Sequence, residues 1–166
     1  MPFLLEAVES GLFTIKRQNC FKILYHYTKI RGYQITSTPN EIVGPDILVQ
    51  FLPNDVYLLE PLVTALSGSN LQWQTTYILL LWLSLICLAP FDLQTIGSVN
   101  NDQTLATKLL DLAKRHLKSA GKQREASAIL CARVVSRSDV WRTELPSFLT
   151  WAIQIFSAAE DNLLLV

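Results

Sequence analysis

No charged residue occurs between Glu60 and Asp92, and Tyr77–Phe91 within that interval reads Tyr-Ile-Leu-Leu-Leu-Trp-Leu-Ser-Leu-Ile-Cys-Leu-Ala-Pro-Phe. Such a run is a membrane span, a helix buried on every side, or a liability. Length decides first. Ile78–Ala89 covers about 18 Å as a helix at roughly 1.5 Å per residue, whereas a bilayer core needs about 20 apolar residues. Extending the run backwards brings in Gln74 and Gln72, with Ser69 and Asn70 suited to an N-cap, and extending it forwards meets Pro90 and Asp92. No Lys/Arg cluster flanks it to set an orientation. At the N-terminus, Pro2–Leu5 is too short for a signal core, and Glu6 and Glu9 follow it. No membrane span is expected. The run reads as the central helix of a larger core. Leu79, Leu80, Leu81, Trp82, Leu83, Leu85, Ile86 and Leu88 then need cover from several directions, and buried Tyr77 and Trp82 need partners for their O–H and N–H.

Composition agrees with a packed chain. Half of the 166 residues are hydrophobic, 17% are charged, and the formal net charge is zero, which excludes disorder. The zero hides local bias. Five basic and no acidic residues lie from Lys16 to Arg31, and nine Lys/Arg from Lys108 to Arg142 face only Asp111, Glu125 and Asp139. Such strips suit an acidic partner surface, or they are solvated helix faces. Cys20, Cys87 and Cys131 are too far apart for a zinc site or a disulfide framework, and read as buried residues of a reducing compartment.

The glycines at 11, 32, 44, 68, 97 and 121 each fall between helical patterns. The prolines after Pro2 fall at turns or in first helical turns. The spacing predicts an N-terminal helical piece to about Ser10 and a helix from about Thr14 to Arg31. An irregular connection spans about 34–46. Helical patterns follow at about Ile47–Leu52 and Asp55–Leu66, then the buried helix from about Leu71 to Ala89. A further helix runs from about Gln103 to Ser119, capped by Asn101 or Asp102. It is amphipathic, with Leu105, Leu109, Leu112, Ala113 and Leu117 opposite Lys108, Asp111, Arg115 and Lys118. Gly121 turns the chain into a helix from about Lys122 to Arg137, where Ala126, Ala128 and Ala132 would admit a close neighbour. A last helix covers about Leu145–Ala159, with Pro146 in its first turn. Antiparallel helices joined by short turns, with no strand ladder, give an all-α, HEAT/armadillo-like α-solenoid. Residues 1–166 form a single segment of that array, and the apolar tail Leu163–Val166 lacks the polar face of a terminal cap.

Chemistry-bearing motifs are few. There is no Gly-rich phosphate loop, His/Glu metal spacing or nucleophile elbow. No catalytic, cofactor-binding or metal residue is therefore assigned. His26 and His116 are isolated helix residues, and Asp92 reads as a turn residue. Arg133 and Arg137, at i and i+4, could grip carboxylates bidentately. The basic strips lack interleaved exposed aromatics, so nucleic acid is not an expected partner.

Several blocks carry a family likeness. They are Leu24-Tyr25 through Lys29-Ile30-Arg31-Gly32-Tyr33; Val49-Gln50-Phe51-Leu52-Pro53-Asn54-Asp55-Val56 with Leu59-Glu60-Pro61; and Trp73–Tyr77 running into Leu79–Leu85 and Pro90-Phe91-Asp92-Leu93. Further on come Ser119–Lys122 with Arg124–Ala128, Arg137-Ser138-Asp139, and Leu145–Leu149. In series they resemble the tubulin-folding cofactor D family over most of Leu24–Trp151, the leucine-rich block being the most specific. Two departures stand out: that family's proteins are much longer HEAT-repeat chains, and the Ile35–Asp46 connection exceeds the family's.

The resemblance implies a cytoplasmic, cytoskeleton-associated chaperone that binds β-tubulin and assembles and dismantles the α/β-tubulin heterodimer. It implies other tubulin-folding cofactors and an Arf-like small GTPase as partners, and stimulation of tubulin GTP hydrolysis without hydrolase residues of its own. Because tubulin is acidic, the expected contacts are Lys114, Arg115, Lys118, Arg124, Arg133 and Arg137. The alternative is a generic HEAT-repeat adaptor with no tubulin role.

Overall fold

The computed structural model describes residues 21–23, 25–26, 52–68, 71–93 and 104–163, with side chains described as far as 158. The expected helical piece before Ser10, the connection at 34–46 and Cys20 lie outside them. Residues 21–23 and 25–26 are helical. A short 3-10 turn, Val56–Leu58, leads into α1 (Leu59–Ser67). Then come α2 (Trp73–Ile86), α3 (Leu105–Leu117), α4 (Lys122–Val135) and α5 (Trp141–Leu163). No strand occurs among the described residues. The all-α, ARM/HEAT-like reading stands.

Helix α2 is the uncharged run, and every residue from Thr75 to Ser84 is buried. Cover arrives from three sides. Tyr25, beside the buried Phe21, sets its ring edge-on to Tyr77 at 5.6 Å and to Trp73 at 4.7 Å. The Trp82 indole N–H donates to the Pro53 carbonyl at 2.8 Å, ahead of α1. On a third side α4 lies along α2, and Arg133 Nη1 donates to Ser84 Oγ at 2.9 Å. Each leucine so enclosed contributes about 1.5–3 kcal/mol of burial. The exit differs from expectation. Leu88 follows the helix into the turn and is 57% exposed, because α2 ends at Ile86. None of the described helices is long and apolar enough to cross a membrane.

The helices alternate between two layers. Ser84 meets Arg133 and Cys87 meets Arg137, so α2 and α4 run parallel. Thr107 Oγ1 donates to Glu144 at 3.0 Å and Lys114 lies over Trp151, so α3 and α5 also run parallel. Helix α4 returns antiparallel beneath α3, where buried Ser127 donates to the Ala113 carbonyl at 2.5 Å. Thus α1, α3 and α5 form one layer and α2 and α4 the other.

Three local expectations are corrected. Thr104, rather than Asn101 or Asp102, caps α3: its extended backbone (ψ 155) aims the hydroxyl at the Thr107 N–H, 3.2 Å away. Helix α5 begins at Trp141, four residues early, because the Val140 carbonyl already accepts from Glu144 N–H. Pro146 therefore sits in the second turn, where it leaves the Arg142 carbonyl without its helical donor. Of the three alanines of α4 only Ala126 is buried; Ala128 and Ala132 face outward. Gly121, at φ 83 and ψ -151, turns the chain as expected, in a conformation open to glycine.

Candidate functional site

The six basic residues expected to meet a partner fall into two groups. Arg124 donates from Nε to the Ser119 carbonyl at 2.9 Å, which ties the start of α4 to the end of α3. Around that turn stand Lys114 and Arg115 of the last turn of α3 and Lys118 at its C-cap. Arg133 lies near the far end of α4, about 14 Å along the axis from Arg124 at 1.5 Å per residue, and Arg137 lies just past that end. One continuous strip in the sequence is therefore two surfaces in space.

The first group is outward. Arg115, Lys118 and Arg124 are exposed. Lys114 is more enclosed: its side chain is 17% exposed, pairs with Asp111 at 3.8 Å and lies 5.6 Å from the Trp151 ring centre. The charges crowd here for a local reason as well, because cations complement the carbonyl end of α3. Half-buried His116 adds no charge at neutral pH. Burial, then the adjacent Arg115 charge, holds its imidazole below the ordinary value. Lys122 is matched by Glu125 at 2.8 Å.

The second group is turned inward. Arg137 Nη1 donates to the carbonyls of Cys87 at 2.5 Å and Ala89 at 3.1 Å, and Nη2 donates to the Phe91 carbonyl. Nε and Nη2 also grip the Asp139 carboxylate, at 3.0 and 3.1 Å. All five guanidinium N–H groups are thereby used. Asp139 Oδ2 accepts from the Leu93 amide at 2.9 Å, so the pair clamps the whole exit of α2. Burial pushes the Asp139 carboxyl up, but the Arg137 hydrogen bonds and the Leu93 amide outweigh it and hold it below its ordinary value. Of the pair read as able to grip carboxylates, Arg137 holds the Asp139 carboxylate of this chain, whereas Arg133 donates to Ser84. A cleft of about 420 Å³ beside the clamp is lined by Leu88, Pro90, Ala132 and Ser136, among others. Asp139 is the partner that sequence reasoning missed; the Arg-Ser-Asp spacing was its only signal.

Chemistry is otherwise muted. Burial pushes the Cys87 and Cys131 thiols up to about 12, against the opposing pull of Arg137 and Arg133 on the first and Lys114 on the second. Among the described residues no group of His, Cys, Asp or Glu could hold a metal ion.

Residues 4–156 match the family described as tubulin-specific chaperone D-like, ARM repeat. The chain belongs to that family. It is also 33% identical, over 119 residues, to the tubulin-folding cofactor D of Schizosaccharomyces pombe. That similarity takes in 70% of this chain but only 9% of the yeast protein. No solved structure matches it. The ARM-repeat description fits the two-layer helix order.

Proposed function

We propose that this chain is a section of a longer ARM/HEAT array acting as a β-tubulin chaperone in the assembly and disassembly of the α/β-tubulin heterodimer. On this reading it works in the cytoplasm with other tubulin-folding cofactors and an Arf-like small GTPase. It stimulates GTP hydrolysis by tubulin as part of that assembly and carries no catalytic residue of its own. The observation that supports the reading is membership of the tubulin-specific chaperone D-like family over residues 4–156.

Within this section the favoured contact is the outward cluster of Arg115, Lys118 and Arg124, with Lys114 at its edge. Exposed cations around one helix end attract an acidic partner at long range and lose that attraction as salt rises. Arg133 and Arg137 serve the proposal indirectly, by holding α2 and α4 in register. The test is capture of tubulin by the full-length protein carrying Arg115→Glu, Lys118→Glu and Arg124→Glu together. Capture should fall by about tenfold or more at low salt, since each desolvated charge contact carries on the order of 1 kcal/mol. Unchanged capture would remove this surface from the proposal, and failure of the unaltered protein to capture tubulin would remove the tubulin role.

A further inference from the structure

Helices α3 and α5 keep one register along their contact. Thr107 donates to Glu144 and Lys114 lies over Trp151, and both pairs are 37 residues apart. Carried one turn further, that register sets Ile155 level with Lys118. Ile155 also follows Trp151 by four residues and Glu144 by eleven, which places it on the side of α5 that faces α3. Helix α3 ends at Leu117, and Ile155 is left 42% exposed. Behind it stands half-buried Trp151, whose ring lies 5.6 Å from that of Phe148 and 5.6 Å from the Lys114 ammonium. Trp151 and Ile155 thus make an apolar shelf at the rim of the outward cationic cluster.

The charges around the shelf are unbalanced. Lys114 is matched by Asp111 and Lys122 by Glu125. Arg115, Lys118 and Arg124 are exposed and have no carboxylate partner among the described residues. We propose that this cluster and the shelf form one composite docking surface for an acidic protein segment that carries an aliphatic side chain close to its carboxylates. The carboxylates meet Arg115, Lys118 and Arg124, and the aliphatic side chain packs on Ile155 beside Trp151. Salt screens the first contact and leaves the second, so the surface selects for both properties together. The inference rests on the reading above that the cluster meets an acidic partner, and it adds the chemistry that partner must present. Charge argues against a second copy of this chain as the occupant, because a two-fold pairing centred here sets cations against cations.

The test is binding of short fluorescein-labelled peptides to the full-length protein, alongside tubulin capture. One peptide carries glutamates around a central leucine, and the other has serine in place of that leucine. The leucine peptide should bind about three- to tenfold more tightly, the gain expected when two partly exposed aliphatic side chains cover each other. Ile155→Ser should abolish that preference with the salt dependence unchanged, and Ile155→Leu should keep it. Arg115→Glu with Lys118→Glu should weaken both peptides alike. Equal binding of the two peptides, or a preference that survives Ile155→Ser, would overturn the shelf even where charge reversal lowers tubulin capture, and the acidic-partner reading would then stand alone. Charge reversal without effect on peptides or tubulin would overturn both. Self-association of the protein that Ile155→Ser abolishes would also overturn the proposal, in favour of a second copy.

Discussion

Arg137→Met isolates the clamp at the exit of α2. The side chains of Arg137 and Asp139 are 11% and 16% exposed, so their mutual bonds are largely shielded from water. The substitution keeps the length and apolar stem of the side chain and removes all five donors. Charge-assisted hydrogen bonds are worth about 1.5–3 kcal/mol each, but they are not additive, and the Cys87, Ala89 and Phe91 carbonyls at the cleft can recover water. The loss of one partner from an enclosed ion pair is the better guide, at about 3–5 kcal/mol. That is a large share of the ~5–15 kcal/mol that stabilises an ordinary domain. Urea unfolding followed by far-ultraviolet circular dichroism would read it as a lower midpoint with an unchanged slope.

The companion variants fix the interpretation. Arg137→Lys keeps the charge but not the planar fork, and should still lose about 2 kcal/mol. Asp139→Asn keeps an oxygen for the Leu93 amide and should lose only about 1–2 kcal/mol. Lys122→Ala, which removes an exposed ion pair, should lose no more than about 0.5 kcal/mol. Acid adds an independent reading. The folded Asp139 carboxyl lies below its unfolded value of 3.8, so its contribution is complete above that pH and is lost as pH falls through the depressed folded value. A loss below about 1 kcal/mol for Arg137→Met, like that of a surface arginine, would refute the clamp and return Arg137 to the pool of available partner contacts.

Trp82→Phe removes the donor to Pro53 and leaves a part-buried carbonyl unmet; a loss of about 1–3 kcal/mol in urea unfolding is expected, and a neutral result would mean that water reaches Pro53. Leu80→Ala, at a fully buried site, should lose about 2–5 kcal/mol, whereas Leu88→Ala in the exposed turn should lose less than about 1 kcal/mol. With both thiols held near 12, Cys87 and Cys131 should resist iodoacetamide at pH 8 until the chain is unfolded. Because the folded values lie above the ordinary thiol value of 9.0, their share of stability is complete below that pH and declines as pH rises towards 12. Pro146→Ala restores a donor to the Arg142 carbonyl and should raise the melting temperature by a few degrees, at about 1 kcal/mol or more of relieved strain; a lower melting temperature would show that the second-turn proline is needed.

What the sequence made legible was whatever depends on one helix at a time. The apolar run of α2 carries no polar stripe, so its burial on all sides could be read directly, as could the amphipathic stripe of α3 and the glycine turn at 121. The solenoid class followed from the same local signals, and the leucine-rich block tied them to a family. Contacts between helices were less visible. Ala128 and Ala132 looked like a close-packing face because alanine permits approach from any direction. Which side of α4 meets a neighbour is set by Ser127 on Ala113 and by Arg133 on Ser84, bonds between residues far apart in the chain. The caps were missed for a related reason. Asn101, Asp102 and Thr104 can all cap a helix by residue type, and it is the Thr104 oxygen that the Thr107 amide meets.

The division of the basic strip follows from that same limit. Charge is counted along the chain, whereas availability is decided by what the charge already touches. Arg124 and Arg137 lie on one helix and its exit, and both read as cations for an acidic partner. Arg124 spends one N–H on the Ser119 carbonyl and stays in water. Arg137 spends all five on the turn after α2 and on Asp139. Reversing charge at Arg137 would therefore dismantle the α2–α4 register before it tested any interface, and a lost pull-down there would be misread as a lost contact. Reversal at Arg115, Lys118 and Arg124 leaves that register intact and loses only the exposed Ser119 bond and the charges at the end of α3, about 0.3–1 kcal/mol each, so tubulin capture should fall far more than the urea midpoint. A matched fall in both would show that the outward cluster, too, belongs to the fold.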